Sequence, residues 1–574
     1  MADLPTPTVR LWPVRVGALL VGLATLALML ATEPKLAIVW DEGFTLGREA
    51  RIRDWFRAVA NPEKFASTWV PPAPMTELVQ PDLVNPPPTP KASDIDTRAK
   101  LFSPQVIAWF WPFAREEPHG HPPFYAIEGL IGDGLAPGWS VLPRARLGPI
   151  VAFSLTAGAI FGFLARRWGY WTGALASAAW VLQPNLFGHG HYATVDALLT
   201  ALWVGAILAF AAAVEREGRS PRWGWVILFG VLCGWATDSK LTGWFLPLPF
   251  FAWSLLYRSR RGWLTLVVGG VVAVLVLFAF NPCWWAEPIS GVERFLRSNL
   301  TRGKTIPIPV QFLGKIYQTP NQSLPWYNTL VWTVLVTPVG FLSLGIIGAL
   351  TGSWRALRAI RRPARIEADS TVPLGPFAVL VVLHWGFLLT LRALPHTPGH
   401  DGVRLFLPAF GVLALAAGVG ASVLIKSLGW WGKGLVVAAI IEASISLALV
   451  MPVPLSYFSP VVGGLRGAAA LGMEPTYFWD GLSDEAIDWL NANTPPGRTV
   501  RFSTFPTSWL YLKETGRLTA PLAPIDQGKP IWLIIQNRPG ALGPLERQLI
   551  DRGKPAFTVS KQGVPLVLIY PYPD

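Results

Sequence analysis

Charge and cysteine are scarce in this 574-residue chain. Asp, Glu, Lys and Arg make up 14% of it, 52% is hydrophobic, and mean hydropathy is +0.39. An ordinary soluble domain carries about 25% charged residues. So few charges exclude a wholly soluble fold and make lipid the solvent for much of the surface. The two cysteines, Cys233 and Cys283, lie far apart in apolar surroundings. They exclude a cysteine metal motif and read as packing residues. An internal repeat is also missing. What abounds is tryptophan, 29 residues of it, a side chain that settles at membrane interfaces.

Membrane-crossing helices need roughly 20 mostly apolar residues. Such runs occur at Leu11–Thr32, Leu147–Ala165, Tyr170–Phe187, Tyr192–Val214, Trp223–Thr237, Leu241–Tyr257 and Trp263–Phe280, then at Trp326–Leu350, Leu374–Leu391, Val403–Ile425 and Trp430–Val450. These predict an α-helical polytopic membrane protein of about eleven spans. Runs so continuously apolar do not match the alternating strands of a membrane barrel.

Orientation follows the basic residues. With the N-terminus inside, the inside segments run to Arg15 and then cover Arg166–Gly169, Glu215–Arg222, Arg258–Gly262, Thr351–Pro373 and Lys426–Lys433. Together they hold 17 Lys/Arg and 5 Asp/Glu, a net of +12 out of the chain's +13. That placement argues against nucleic acid as the partner of the positive charge. Arg144 and Arg146 are the main exceptions. The apolar run Pro122–Ala136 is short and contains Glu128 and Asp133; if it spanned, every later loop would flip. A juxtamembrane helix on the outer surface is expected there.

The expected domains are a membrane domain over residues 1–450 and an extracytoplasmic α/β domain over 451–574. The first outer loop covers 33–146 and a second large one 281–325. The former has eight prolines between Pro71 and Pro90, which excludes regular helix. In the tail, Ser483–Asn493 and Gly543–Arg552 read as helices, Ile531–Gln536 and Val564–Tyr570 as strands.

Polar residues with chemical potential gather on the outer face. Asp41 and Glu42 follow the first span; side by side at a membrane surface they are costly unless paired, solvated or metal-bound. They read equally as a solvated helix start. His119, His121, His189, His191, His396 and His400 put six of the seven histidines outside, as functional groups or as interfacial anchors. Asp196 lies in an apolar stretch, a functional candidate or a polar helix-packing contact. Asp238 and Lys240 cap the fifth span, while Asp401 and Arg404 precede the tenth. Histidine and carboxylate suit zinc, so a divalent metal is the candidate cofactor, with Asp41, Glu42, His189 and His191 as candidate ligands. The HGH spacing is not a zinc signature.

The order of these motifs resembles the GT-C class of lipid-linked glycosyltransferases. A first span followed by Asp41-Glu42 and a His121-Pro-Pro-Phe-Tyr125 helix start both fit that class. His191-Tyr-Ala-Thr-Val-Asp196, Lys240-Leu-Thr-Gly243, Leu324-Pro-Trp-Tyr327 and Asp401-Gly-Val-Arg404-Leu-Phe-Leu-Pro408 resemble motifs of the protein O-mannosyltransferase-like group, glycosyltransferase family 39. The likeness runs from Leu11 to about Gly420, and the tail resembles the variable soluble domains of some bacterial members. In the related aminoarabinose transferases of lipid A, a Glu-Lys precedes the Pro-Pro; here Gly120 and His121 stand there, so that metal ligand is absent.

The resemblance implies a GT-C fold and a sugar donor on a polyprenyl phosphate. It also implies an inverting transfer at the outer face to a protein, lipid or glycan acceptor. Asp41 matches the family's catalytic first-loop acid and is expected to be the general base, with Glu42 orienting it. Arg404, Lys240 and His121 are the expected partners of the donor phosphate. Asp196, His189, His191 and Tyr327 are expected to bind acceptor or sugar. The expected location is a bacterial inner membrane, with the N-terminus cytoplasmic and the C-terminal domain extracytoplasmic. The rival readings are a multispanning transporter of a lipid or small solute and a scaffold whose tail binds partners. Lack of a repeat and clustering of polar groups at one face count against transport.

Overall fold

The computed structural model describes residues 11–71, 87–111, 121–215, 222–301, 308–361 and 373–573. Most of the proline-rich stretch, His119, Gly120 and parts of three basic segments lie outside these.

Among the described residues, eight helices are long and apolar enough to cross a membrane. They are α1 (Leu11–Thr32), Val141–Trp168, Val195–Val214, Arg260–Phe280, Val339–Arg361, Leu374–Ala393, Pro408–Leu428 and Trp430–Val450. The other three expected spans take the form of shorter helices, Tyr170–Val181, Trp223–Thr237 and Pro247–Leu256. Proline explains two of these differences, since it disfavours helix at the residue before it. The run Tyr170–Phe187 breaks ahead of Pro184, and a second helix, Pro184–His191, follows. The run Leu241–Tyr257 begins as a 3₁₀ turn, Leu241–Phe245, before Pro247 restarts the helix. Likewise Trp326–Leu350 divides at Pro338 into Asn328–Val336 and Val339–Arg361.

Small residues let these helices approach closely. A Cβ on Gly348 would lie 1.9 Å from the Ala416 carbonyl oxygen, and one on Gly420 2.0 Å from that of Leu344. The helices Val339–Arg361 and Pro408–Leu428 therefore touch backbone to backbone.

The helix Val195–Val214 shows how the bundle is polarised. Asp196 stands in its first turn and Glu215 follows its last residue. Nineteen steps at 1.5 Å each separate the two residues by roughly 28 Å, about the thickness of a hydrocarbon core. Glu215 is buried between Arg167 and Arg222, the latter at 2.7 Å, and its carbonyl accepts from Arg261. These four residues belong to the basic segments expected inside. Asp196 lies at the other end, among the residues expected outside.

At that end lie α2 (Trp40–Ala60) and two short helices, Phe124–Gly129 and Ile131–Leu135. The latter pair replaces the single juxtamembrane helix expected at Pro122–Ala136, and each is far too short to span. A hairpin of β1 (Ile308–Phe312) and β2 (Lys315–Thr319) lies in the loop expected over residues 281–325.

The C-terminal part holds a four-stranded sheet of β3 (Arg498–Phe502), β4 (Lys529–Gln536), β5 (Phe557–Lys561) and β6 (Val564–Pro571), ordered β3-β4-β6-β5. Strands β3 and β4 run parallel; the other pairs are antiparallel. The β5–β6 hairpin turns on Gln562 (φ 48°) and Gly563 (φ 75°), the two left-handed residues that suit the strand twist. Helices Asp484–Asn493 and Pro544–Arg552 accompany the sheet. Strands β3 and β5 were not expected from sequence. Both are short, and each carries basic residues that blur the alternating pattern. Ile487, Leu490, Trp509, Ile534 and Val567 share one core with Ile38, Leu46, Ala145 and Ala193 of the membrane part. The sheet is therefore packed onto the end of the bundle rather than tethered to it.

Candidate active site

Arg404 is the hub of a buried ionic cluster at the Asp196 end of the bundle. It lies in a 3₁₀ turn, Arg404–Phe406, forced by the tight bend at Asp401 (φ 59°) and Gly402 (φ 56°) and ended by the helix starting at Pro408. Its three nitrogens each meet a different aspartate. Nε donates to Asp196 (2.6 Å), Nη1 to Asp401 (2.8 Å), and Nη2 to Asp41. Asp196 also accepts from Lys240 Nζ at 2.6 Å. Four segments far apart in sequence thus converge: the start of α2, the start of Val195–Val214, the turn after Trp223–Thr237, and the turn before Pro408.

Asp41 differs from its neighbours in exposure. Its side chain is 23% exposed, against 1% for Asp196 and 10% for Asp401. Burial pushes the Asp41 carboxyl above its ordinary range against the pull of Arg404, and Asp401 and Asp196 push the same way. Asp401 goes in the opposite direction: burial alone would raise it, but Arg538, His400 and Arg404 outweigh that and hold it low. The cluster therefore contains one accessible carboxylate with raised basicity and one pinned as an anion, the separation of roles that acid–base chemistry uses.

The tail reaches into the same cluster. Arg538, just after β4, places Nη1 2.9 Å from Asp401 and Nε 3.5 Å from Glu474. Glu474 in turn accepts from the backbone of Gln311 and Gly540. Phe478 lies under the Arg404 guanidinium at 4.5 Å, and Trp479 lies 5.3 Å from both Arg538 and Trp40. None of the site residues expected from sequence lies in the tail. The available signal was Tyr477-Phe478-Trp479, an aromatic run belonging to no span or strand.

Glu42 points away from this cluster. It is fully buried, and its carboxylate accepts from Arg146 Nε (2.7 Å), Arg146 Nη2 (2.7 Å), Val39 N (3.0 Å) and Ala193 N (3.0 Å). A carboxylate offers about four lone-pair positions, so Glu42 has none left for substrate or metal. Arg146 is equally saturated, its remaining donors going to Glu33, Leu36 O and Ala37 O. Arg146 and Arg144, the exceptions to the charge asymmetry, are thereby explained: Arg144 pairs with Asp133 at 3.0 Å.

The histidines fall into different surroundings. His189 Nε2 lies 3.2 Å from the Tyr477 hydroxyl, which donates to Asn185. Both nitrogens of His191 are engaged, with Phe187 O on one side and Thr32 and Met29 O on the other. Burial pushes both residues down to about 4, so both are neutral near pH 7. His121 packs edge-on to Tyr125 at 6.3 Å. Tyr327 is 39% exposed beside Trp326, with ring centroids 5.8 Å apart. Among the described residues no group of three or more His, Cys, Asp or Glu side chains is arranged to hold a metal ion. Asp41, Glu42, His189 and His191 each face different partners.

Residues 139–285 match the model of the dolichyl-phosphate-mannose-protein mannosyltransferase family. That stretch is roughly a quarter of the chain. It includes Arg146, His189, His191, Asp196 and Lys240, while Asp41 and Arg404 lie outside it. No curated protein matches the chain. Among solved structures, the fold is similar to ArnT from Cupriavidus metallidurans bound to undecaprenyl phosphate (13% identity, 96% of this chain and 97% of that one, TM-score 0.47). It is also similar to the oligosaccharyltransferase AglB from Archaeoglobus fulgidus in complex with an inhibitory peptide and a dolichol-phosphate (12% identity, 73% and 62%, TM-score 0.41).

Proposed function

We propose that this protein is a membrane glycosyltransferase that moves a sugar from a polyprenyl-phosphate donor to an acceptor hydroxyl. The single observation that carries the reading is the convergence of Asp41, Asp196, Lys240, Asp401 and Arg404 at one end of the bundle. The family match over residues 139–285 supports the donor class. Asp41 takes the proton from the acceptor hydroxyl, whose oxygen attacks the anomeric carbon. The bond from that carbon to the lipid phosphate oxygen breaks, and the phosphate leaves with the electron pair, inverting the anomeric centre. Lys240 and Arg404 oppose the charge that develops on the leaving oxygen. Glu42 anchors the first turn of α2 and so orients Asp41. The acceptor is a protein, lipid or glycan presented at the extracytoplasmic face of a bacterial inner membrane. In this orientation the N-terminus and the Arg167–Glu215–Arg222 end are cytoplasmic.

The test is transfer from a panel of radiolabelled polyprenyl-phosphate sugars by purified protein, supplemented with membrane extract as acceptor source. Sugar transfer with stoichiometric release of polyprenyl phosphate is expected. Because the Asp41 carboxyl is raised, activity should fall with acidification at a higher pH than an ordinary aspartate would dictate. No turnover with any donor, together with binding of a small solute, would favour the transporter.

A further inference from the structure

The buried cations among the described residues are Arg146, Arg167, Lys240, Arg392, Arg404 and Arg538. Five of them have carboxylate partners within 4 Å. Arg392 has none. It stands in the last turn of the helix Leu374–Ala393, is 5% exposed, and neither its Nε nor its Nη2 has a hydrogen-bond acceptor. At 5% exposure its side chain is almost wholly withdrawn from water, where a residue near a helix end ordinarily reaches out to it. A desolvated guanidinium without a counter-charge in a membrane helix is costly, and such a residue by default marks a ligand path.

Its position links it to the site. Its helix packs against the turn Arg404–Phe406 and also against Asn328–Val336, which begins directly after Tyr327. Within the ionic cluster, Arg404, Lys240 and Arg538 are already matched by Asp41, Asp196 and Asp401, and Glu474 adds another carboxylate. An entering phosphate finds no uncommitted positive charge among them. Arg392 supplies one, with paired donors in the planar geometry that suits phosphate oxygens.

We propose that Arg392 binds the phosphate of the polyprenyl-linked substrate, holding the leaving group beside the Asp41–Arg404 cluster. This rests on the glycosyltransferase reading and deepens it. Arg392 holds the outer oxygens of the phosphate, while Lys240 and Arg404, fixed in place by Asp41, Asp196 and Asp401, oppose the charge that develops on the leaving oxygen.

The experiment is titration of the purified full chain with undecaprenyl phosphate, for wild type, Arg392→Gln and Arg392→Lys. Inorganic phosphate and phosphatidylglycerol serve as competitors, and the thermal unfolding midpoint is recorded for each protein. Arg392→Gln should weaken undecaprenyl phosphate binding about tenfold or more, and Arg392→Lys should restore part of it, since the charge returns without the paired donors. The unfolding midpoint of Arg392→Gln without ligand should be unchanged or raised, because an uncompensated buried charge has been removed. A merely structural arginine would lower that midpoint, and that result would overturn the proposal. Binding equal to wild type in Arg392→Gln overturns it while leaving the glycosyltransferase reading intact. Equal displacement by phosphatidylglycerol identifies a general headgroup site and also overturns it. Absence of binding by wild type removes the proposal and the donor class together.

Discussion

Arg404→Ala is expected to abolish sugar transfer and to lower stability by about 3–5 kcal/mol. The size follows from what the substitution leaves behind. Asp41, Asp196 and Asp401 all bond this one guanidinium, and without it three carboxylates face one another with Lys240 and Arg538 remaining. Breaking a buried pair costs the desolvation of the abandoned charge as well as the lost bond. Arg404→Lys separates the two effects. A single ammonium keeps the charge, but it is a compact point without the rigid fork that reaches three acceptors in different directions. It should recover much of the unfolding midpoint while transfer stays low. Full activity in Arg404→Lys would show that the three-way geometry is unimportant.

The second large effect lies outside the ionic cluster. Arg146→Met is expected to destabilise the protein by about 3–5 kcal/mol, because Glu33 and Glu42 are then buried without a counter-charge. All five guanidinium N–H donors are used, two on Glu42, one on Glu33 and two on the carbonyls of Leu36 and Ala37. This arginine ties the helix Val141–Trp168 to the link between α1 and α2, and so fixes the start of the helix that carries Asp41. Adding Glu42→Gln should regain part of the loss, since one stranded charge is then removed. Thermal unfolding of the two variants checks this. An unchanged midpoint in Arg146→Met would mean that the anchor does not hold α2.

Much of this architecture was legible because its signals are local. Continuous apolar runs exposed the long helices, and Asp41, Asp196, Lys240 and Arg404 stood out as charges at or within the ends of such runs. Breaks at Pro184, Pro247 and Pro338 were harder to see, because the apolar composition continues through them and hides the change in backbone. Glu42 looked like the partner of Asp41 in sequence, yet adjacent helical residues point about 100° apart, and the structure turns it to Arg146. The unusual placement of Arg146 against the charge asymmetry was itself the clue to a buried partner. Arg538 had no such signal: a lone arginine after a strand has no periodicity, and only the tertiary packing of the tail brings it to Asp401. Arg392 stood one residue beyond an expected span, where an arginine reads as an ordinary boundary.

Whether Asp41 acts as base in transfer from a polyprenyl-phosphate sugar is decided by one paired assay. Wild type and Asp41→Asn are compared with the same radiolabelled donor and acceptor extract, after their unfolding midpoints are shown to agree. Product is expected from wild type and a rate lower by roughly 10²–10⁴ in the variant, since asparagine keeps the shape but cannot take the proton. Transfer by Asp41→Asn at the wild-type rate would contradict it.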